Sequence, residues 1–310
     1  MPDSRVTMKD VARASGVSPA TVSFVLNDSP SQTIPAATRE RVHRVAAELG
    51  YVPHGVARAL REGASRIVVL NVARLPHGGA SLAGFVDALD DELGRFGHAL
   101  LVRYRDRPDD TDRLIAAISP RAVLDLDRLY FEADPEIADG GWIDGLAAHT
   151  SVQIRYLAEQ GHVELAMALR DDPGIERLAA LRRDYAGRIL ADLGLPELRT
   201  LSVGWSVEDD RRAVASFLER HPSVTAIAGL DDDAALRVLA ALRDLGVPVP
   251  DQVAVIGFDD SPLGELFSPA LTTVHIDGAE FGRRAARTLL DEPPGSEAPG
   301  PATVIRRASA

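Results

Sequence analysis

The stretch "VTMKDVARASGVSPATVSFVLN", residues 6–27, carries two short helical patterns around one glycine. Thr7 and Asp10 make a Thr-x-x-Asp start suited to a capping box. Val11, Ala12 and Ala14 then carry a first helix to Ser15. Gly16 supplies the left-handed backbone of a tight turn. Ser18 is a second N-cap, followed by Pro19 at the first helical position, where a missing N–H does no harm. Along the second helix Val22, Val25 and Leu26 share an inward face, and Pro19, Ala20, Ser23, Phe24 and Asn27 fall on the opposite one. Two helices joined by a glycine-containing turn are a helix-turn-helix. A third helix is predicted from Ala36 to Leu49, with Val42, Val45, Ala46 and Leu49 as its apolar stripe and Gly50 as its stop. Three such helices close a small core. The spacing alone also arises in ordinary all-α proteins, so the rest of the chain has to decide the function.

Directly after the third helix comes "GYVPHGVARALREGAS", residues 50–65: a proline-broken link, then the segment Val56–Glu62. Seven residues flanked by glycines are too few for a stable isolated helix. A marginal helix carrying Ala57, Arg58, Leu60 and Arg61 reads as a piece that folds against a partner. Charge points the same way. The chain of 310 residues carries −12 overall, but residues 1–63 hold eight basic and six acidic side chains, a balance of +2 that leaves −14 on the remainder. A weakly basic head on an acidic body suits contact with phosphate at one end only.

Composition excludes several chemistries. With no cysteine there are no disulfides, thiolate metal sites or cysteine nucleophiles. Lys9 is the only lysine and is followed by Asp10, so there is no P-loop and no candidate Schiff-base lysine. The eight histidines form no HExxH or other metal-ligand spacing, and no GxSxG elbow occurs. Apolar runs fall short of the roughly 20 residues of a membrane span, and "MPDSRVTMKD" lacks a signal-peptide core. The expectation is a cytoplasmic protein that is not an enzyme and uses no cofactor. Residues Asp231–Asp233 with a metal are the best, and a remote, alternative.

From Arg66 onward apolar runs alternate with helical patterns. Candidate strands are 66–72, 98–104, 121–126, 163–169, 198–204, 224–230, 253–258 and 272–276. Stretches such as "LAGFVDALDDELGRFG" between them are apolar at helical spacing and end in glycine. Alternating strand and helix predicts parallel sheets with right-handed crossovers. The fold class expected is an α/β body of two doubly wound parallel-sheet lobes, preceded by a small all-α helix-turn-helix headpiece.

The segments "VTMKDVARASGVSPATVSFVLN", "TRERVHRVAAELGYVPHGVARAL" and "VIGFDD…LTTV" resemble the lactose-repressor (LacI) family of transcriptional regulators. The resemblance implies a headpiece at 1–54, a hinge helix and linker at 55–65, and a periplasmic-binding-protein-like effector and dimerisation body at 66–310. Lobe 1 would comprise about 66–145 and 277–292, lobe 2 about 146–276 and 293–310. It further implies a homodimer on a pseudo-palindromic operator, most often as a repressor, with control by a sugar-like small molecule. The family's base-reading positions fall on Pro19, Ala20 and Phe24; members usually carry arginine at the last. Ala20 and Phe24 lie one turn apart and are suited to thymine methyl groups, unless Phe24 turns into the headpiece core. Thr7, Ser18, Thr21, Ser23, Asn27, Thr38 and Tyr51 match positions that contact phosphates or nearby bases. Leu60 matches the hinge leucine that wedges into the minor groove, with Ala57 as its small neighbour and Arg58 reaching the groove or backbone; anchoring the linker is the alternative role for Leu60.

For the ligand, the resemblance points to Asp232 in "AGLDDDAA", Trp205 in "VGWSVEDD", Arg182 or Arg177, and Asp144 from the opposing lobe. Helix capping competes for the aspartates and core packing for Trp205. The segment "ARLPHGGA" (73–80) and His149 depart from the family pattern, so the first lobe's ligand wall is rewritten. Two alternatives follow: a soluble solute-binding protein of the same body fold, and a regulator that has lost effector binding.

Overall fold

The computed structural model describes residues 6–26, 34–51, 64–72, 79–104, 108–126, 142–204, 206–293, 295 and 300–310. The chain divides into two compact units, Met1–Arg66 with Ala117–Ser119, and Ile67–Ala116 with Pro120–Ala310.

In the first unit α1 (Met8–Ser15), α2 (Pro19–Leu26) and α3 (Ala36–Glu48) pack around Val11, Ala12, Val22, Val25, Val42, Val45, Ala46 and Tyr51. The local chemistry is that of the sequence. Asp10 accepts from both the Thr7 N–H (3.0 Å) and the Thr7 hydroxyl (2.6 Å). Gly16 caps α1 at φ 67°, a conformation open to glycine and strained for residues with a Cβ. Leu49 differs from expectation. The helix ends at Glu48, so Leu49 is its C-cap and is 38% exposed, outside the stripe it was predicted to complete.

In the second unit β1 (Ile67–Asn71), β2 (Ala99–Arg103) and β3 (Ala122–Asp125) form a parallel sheet in the order β2-β1-β3. A second parallel sheet has the order β5-β4-β6-β7, from β4 (Leu165–Arg170), β5 (Arg199–Val203), β6 (Ala226–Gly229) and β7 (Ala254–Ile256). Its central strands, β4 and β6, are buried runs rather than alternating ones, as sheets covered on both faces require. The connecting helices are α4 (Ala80–Arg95), α5 (Pro108–Ile118), α6 (Trp142–Glu159), α7 (Glu176–Asp192), α8 (Val207–Arg220) and α9 (Asp232–Asp244). After β7 come α10 (Pro262–Leu266), β8 (Thr273–His275), α11 (Gly278–Leu289) and β9 (Thr303–Ile305).

Strand β8 departs from the all-parallel expectation. It pairs antiparallel with β9, a three-residue strand not foreseen in "ATVIRRASA". Ala302, Val304 and Ala310 of the tail pack on the core, and the buried Ser309 hydroxyl donates to the Val255 carbonyl (2.6 Å) and accepts from the Thr272 N–H (2.8 Å). Helix α11 returns to α4 at contact distance. A Cβ at Gly282 would lie 2.3 Å from the Phe85 carbonyl oxygen, so glycine is what lets the two backbones meet. Beside that seam, buried Glu92 binds Arg287 (2.7 Å) and Arg95 (2.6 Å).

Candidate DNA-reading face and ligand cleft

The face of α2 opposite Val22 and Val25 is where a helix-turn-helix meets base edges. Ser18 caps it, accepting from the Thr21 N–H (3.0 Å) and sharing a 2.9 Å hydrogen bond with the Thr21 hydroxyl. Pro19 and Ala20 are exposed; Thr21, Ser23 and Phe24 are half-buried. Phe24 is not among the side chains packed on the headpiece core, which takes Val6, Met8, Val17, Leu26 and Ile34 at its rim. Thr7 is exposed and Thr38 half-buried. Tyr51 is a finding of the structure. At 8% exposed it is a core residue of the headpiece. Asn27, Ala57, Arg58, Leu60 and Trp205 lie outside the described residues, as does the side chain of Asp144, whose backbone sits in α6.

In the body, the ligand candidates gather at the carboxyl ends of β6 and β7, where doubly wound sheets bind their ligands. Asp232 is 2% exposed. It accepts from the Phe258 N–H (2.7 Å), the Ser261 N–H (2.5 Å) and the Thr273 hydroxyl (2.6 Å). Gly257 makes room for it, since a Cβ there would fall 1.9 Å from its carboxylate. Burial pushes the Asp232 carboxyl above its usual range, against the pull of those three donors. Arg182 is 1% exposed and equally engaged. It donates to the Leu230 carbonyl, to the Gln153 side-chain oxygen (2.6 Å) and to the Thr150 hydroxyl (3.3 Å), and its guanidinium stands 3.4 Å from the centre of the Phe258 ring.

Gln153, fully buried and unforeseen from sequence, donates in turn to the carbonyls of Gly257 (2.8 Å) and Gly229 (3.0 Å). His149, one turn before it, packs against Gly145 and is held neutral, its pKa lowered to about 4 by burial and then by Arg182. Asp231 is the N-cap of α9, accepting from the Ala234 N–H (2.8 Å), and is paired with Arg170 (3.0 Å). Arg177, the other arginine candidate, is on the exposed side of α7. Arg182 and Asp232 are thus brought to one place, and Arg177 is not brought there. Among the described residues no group of three or more His, Cys, Asp or Glu is placed to hold a metal ion.

Asp259 was also missed. Its backbone is left-handed (φ 105°), and its carboxylate accepts from the Ser81 N–H (3.1 Å) at the start of α4, pressed against Gly79. Burial drives its pKa up to about 7, with Asp232 and Asp231 adding to the rise and Ser81 opposing it. A carboxyl that titrates near 3.8 when unfolded and near 7 when folded weakens the fold as pH rises through that window, and the loss levels off above it. Asp259→Asn removes this term. The variant is expected to gain on the wild type by about 2–3 kcal/mol between pH 4 and pH 8, allowing for the partial exposure of the side chain. Urea midpoints of the two proteins across that range check it; a constant difference contradicts it.

Residues 7–54 match the family described as bacterial regulatory proteins, lacI family, and residues 154–309 match the periplasmic binding protein-like domain, half of the chain by itself. The chain belongs to the lacI family of bacterial regulatory proteins. It is therefore a DNA-binding transcriptional regulator. Its relatives include the HTH-type transcriptional repressor PurR of Vibrio atlanticus, 27% identical over 92% of this chain and 91% of that protein. The PurR of Vibrio parahaemolyticus is 28% identical over the same shares. Among solved structures the lac repressor dimer bound to operator and the anti-inducer ONPF has the same fold, with a TM-score of 0.77 at 22% identity, covering 99% of both chains. The transcriptional regulator CelR in complex with cellobiose gives 0.61 at 25% identity, covering 99% of this chain and all of the other. Among the described residues of this lacI-family protein no helix is long and apolar enough to cross a membrane.

Proposed function

We propose that this protein is a cytoplasmic transcriptional repressor, not an enzyme, that binds a pseudo-palindromic operator as a homodimer. In this reading residues 1–54 are the headpiece, 55–65 the hinge and 66–310 the body with the two lobes set out above. The observation that carries it is the α2 face: Val22 and Val25 are fully buried, which fixes Pro19, Ala20 and Phe24 outward on a lacI-family helix-turn-helix. The relatives named as repressors and the lac repressor's dimer on operator support the repressor and dimer assignments. Leu263 and Leu266, 62% and 82% exposed on α10, supply apolar surface for a second copy. Binding of a duplex selected from random sequence is the test. Affinity should fall by about a thousand-fold between 50 and 200 mM salt, as phosphate contacts release counterions. Absent or salt-indifferent binding contradicts the proposal.

A second reading concerns the effector. CelR is solved with cellobiose, and a sugar-like ligand is the default for this body. Here Arg182 and Asp232 have their hydrogen-bonding groups turned into the protein, and Gln153 holds the strand-end carbonyls. A ligand reaching them has to displace buried bonds. That favours a regulator whose operator affinity is set without such an effector. Operator affinity measured with and without cellobiose, lactose and purine bases separates the two: a shift with any of them restores effector control.

A further inference from the structure

From Val17 to Leu26 the chain has no charged side chain and no side-chain amide. The bidentate readers of the major groove, arginine or lysine on guanine, asparagine or glutamine on adenine, and carboxylates on cytosine, are therefore missing from the whole of α2. Its hydroxyls are engaged as well. Those of Ser18 and Thr21 are bonded to each other, Ser18 also accepts from the Thr21 N–H, and Ser23 has a partner within the protein. What the helix presents is apolar: Pro19 and Ala20 exposed, and the Phe24 ring half-exposed one turn beyond Ala20, outside the headpiece core. Major-groove base edges offer one apolar group, the 5-methyl of thymine.

We propose that this face reads pyrimidine 5-methyl groups, with Ala20 and Phe24 as the contacting residues, and so accepts 5-methylcytosine where it accepts thymine. The inference rests on the DNA-binding function proposed above and deepens it. Specificity comes from methyl burial and half-site geometry, since the Ala20 methyl and the Phe24 ring carry no hydrogen-bonding group to distinguish the thymine carbonyl from the cytosine amine. Methylation of cytosine at C5 then creates sites for this protein.

The test takes the duplex that the purified full-length protein selects from a random pool. Each half-site thymine is replaced in turn by deoxyuridine, which lacks only the methyl, then by cytosine, then by 5-methylcytosine, the last two paired with guanine. At the contacted positions deoxyuridine should weaken binding about four-fold per methyl, the worth of one buried methyl group, and about sixteen-fold when both half-sites are changed. Cytosine should weaken it at least as much, and 5-methylcytosine should restore it. Phe24→Ala should lower the summed thymine-to-deoxyuridine effect by erasing it at the position the ring covers, with the headpiece still folded by circular dichroism because the ring lies outside its core. Deoxyuridine equal to thymine at every position, 5-methylcytosine no better than cytosine, or a ratio unchanged by Phe24→Ala at every position overturns the inference and leaves the DNA-binding function standing. Failure to select any duplex overturns both.

Discussion

Exchanging Arg182 for methionine is expected to lower the unfolding midpoint of the body by about 6–12 °C, the equivalent of about 3 kcal/mol for a domain of this size. Methionine keeps the unbranched stem of the side chain out to the ε position and removes every donor. The Leu230 carbonyl and the Gln153 side-chain oxygen then stay buried with a bond missing, at about 1–3 kcal/mol each. The Phe258 ring also loses the cation 3.4 Å from its centre. Relief from burying a guanidinium offsets part of this, which keeps the sum near 3 kcal/mol. Calorimetry of the purified variant reads the effect. A midpoint within a degree of the wild type, together with loss of a response to an added sugar or purine, makes Arg182 a ligand residue in place of an internal strut.

Val22→Asp is expected to abolish operator binding by unfolding the headpiece. Val22 is fully buried among the eight described residues that form that core. A core this small supplies roughly 3–5 kcal/mol in all. An unpaired carboxylate placed inside it costs about 4 kcal/mol or more, or forces the group to take up a proton. The body has separate cores, so its own unfolding transition should keep its midpoint while DNA affinity falls at least about a hundred-fold. Gel-shift titration paired with calorimetry checks both halves. Operator binding at wild-type strength by the variant contradicts the packing described for α2.

The headpiece was legible because its rules are local. Gly16 turns where a left-handed residue is needed, Ser18 caps, Pro19 starts a helix, and Val22 and Val25 are three residues apart on one face. Each depends on neighbours within one or two turns. The strands of the body could be read for a similar reason, since buried parallel strands are short apolar runs between helical patterns. The reading failed where the partner was distant. Strand β9 is three residues followed by two arginines, and it is held by pairing with β8, by the Ser309 and Arg307 bonds and by Val304 packed on the core.

The sequence by itself determined the order of the headpiece helices and parallel strands, the glycine turn, the buried and displayed faces of α2, and the absence of charge from that display. Tertiary structure alone decided what the cleft residues do. Asp232 is satisfied by groups 26, 29 and 41 positions away, and Arg182 by groups 29, 32 and 48 positions away, none of which sequence spacing brings near. A cap or a turn is fixed by bonds within a few residues, whereas the role of a buried charge is fixed by whichever donors and acceptors the folded chain carries to it.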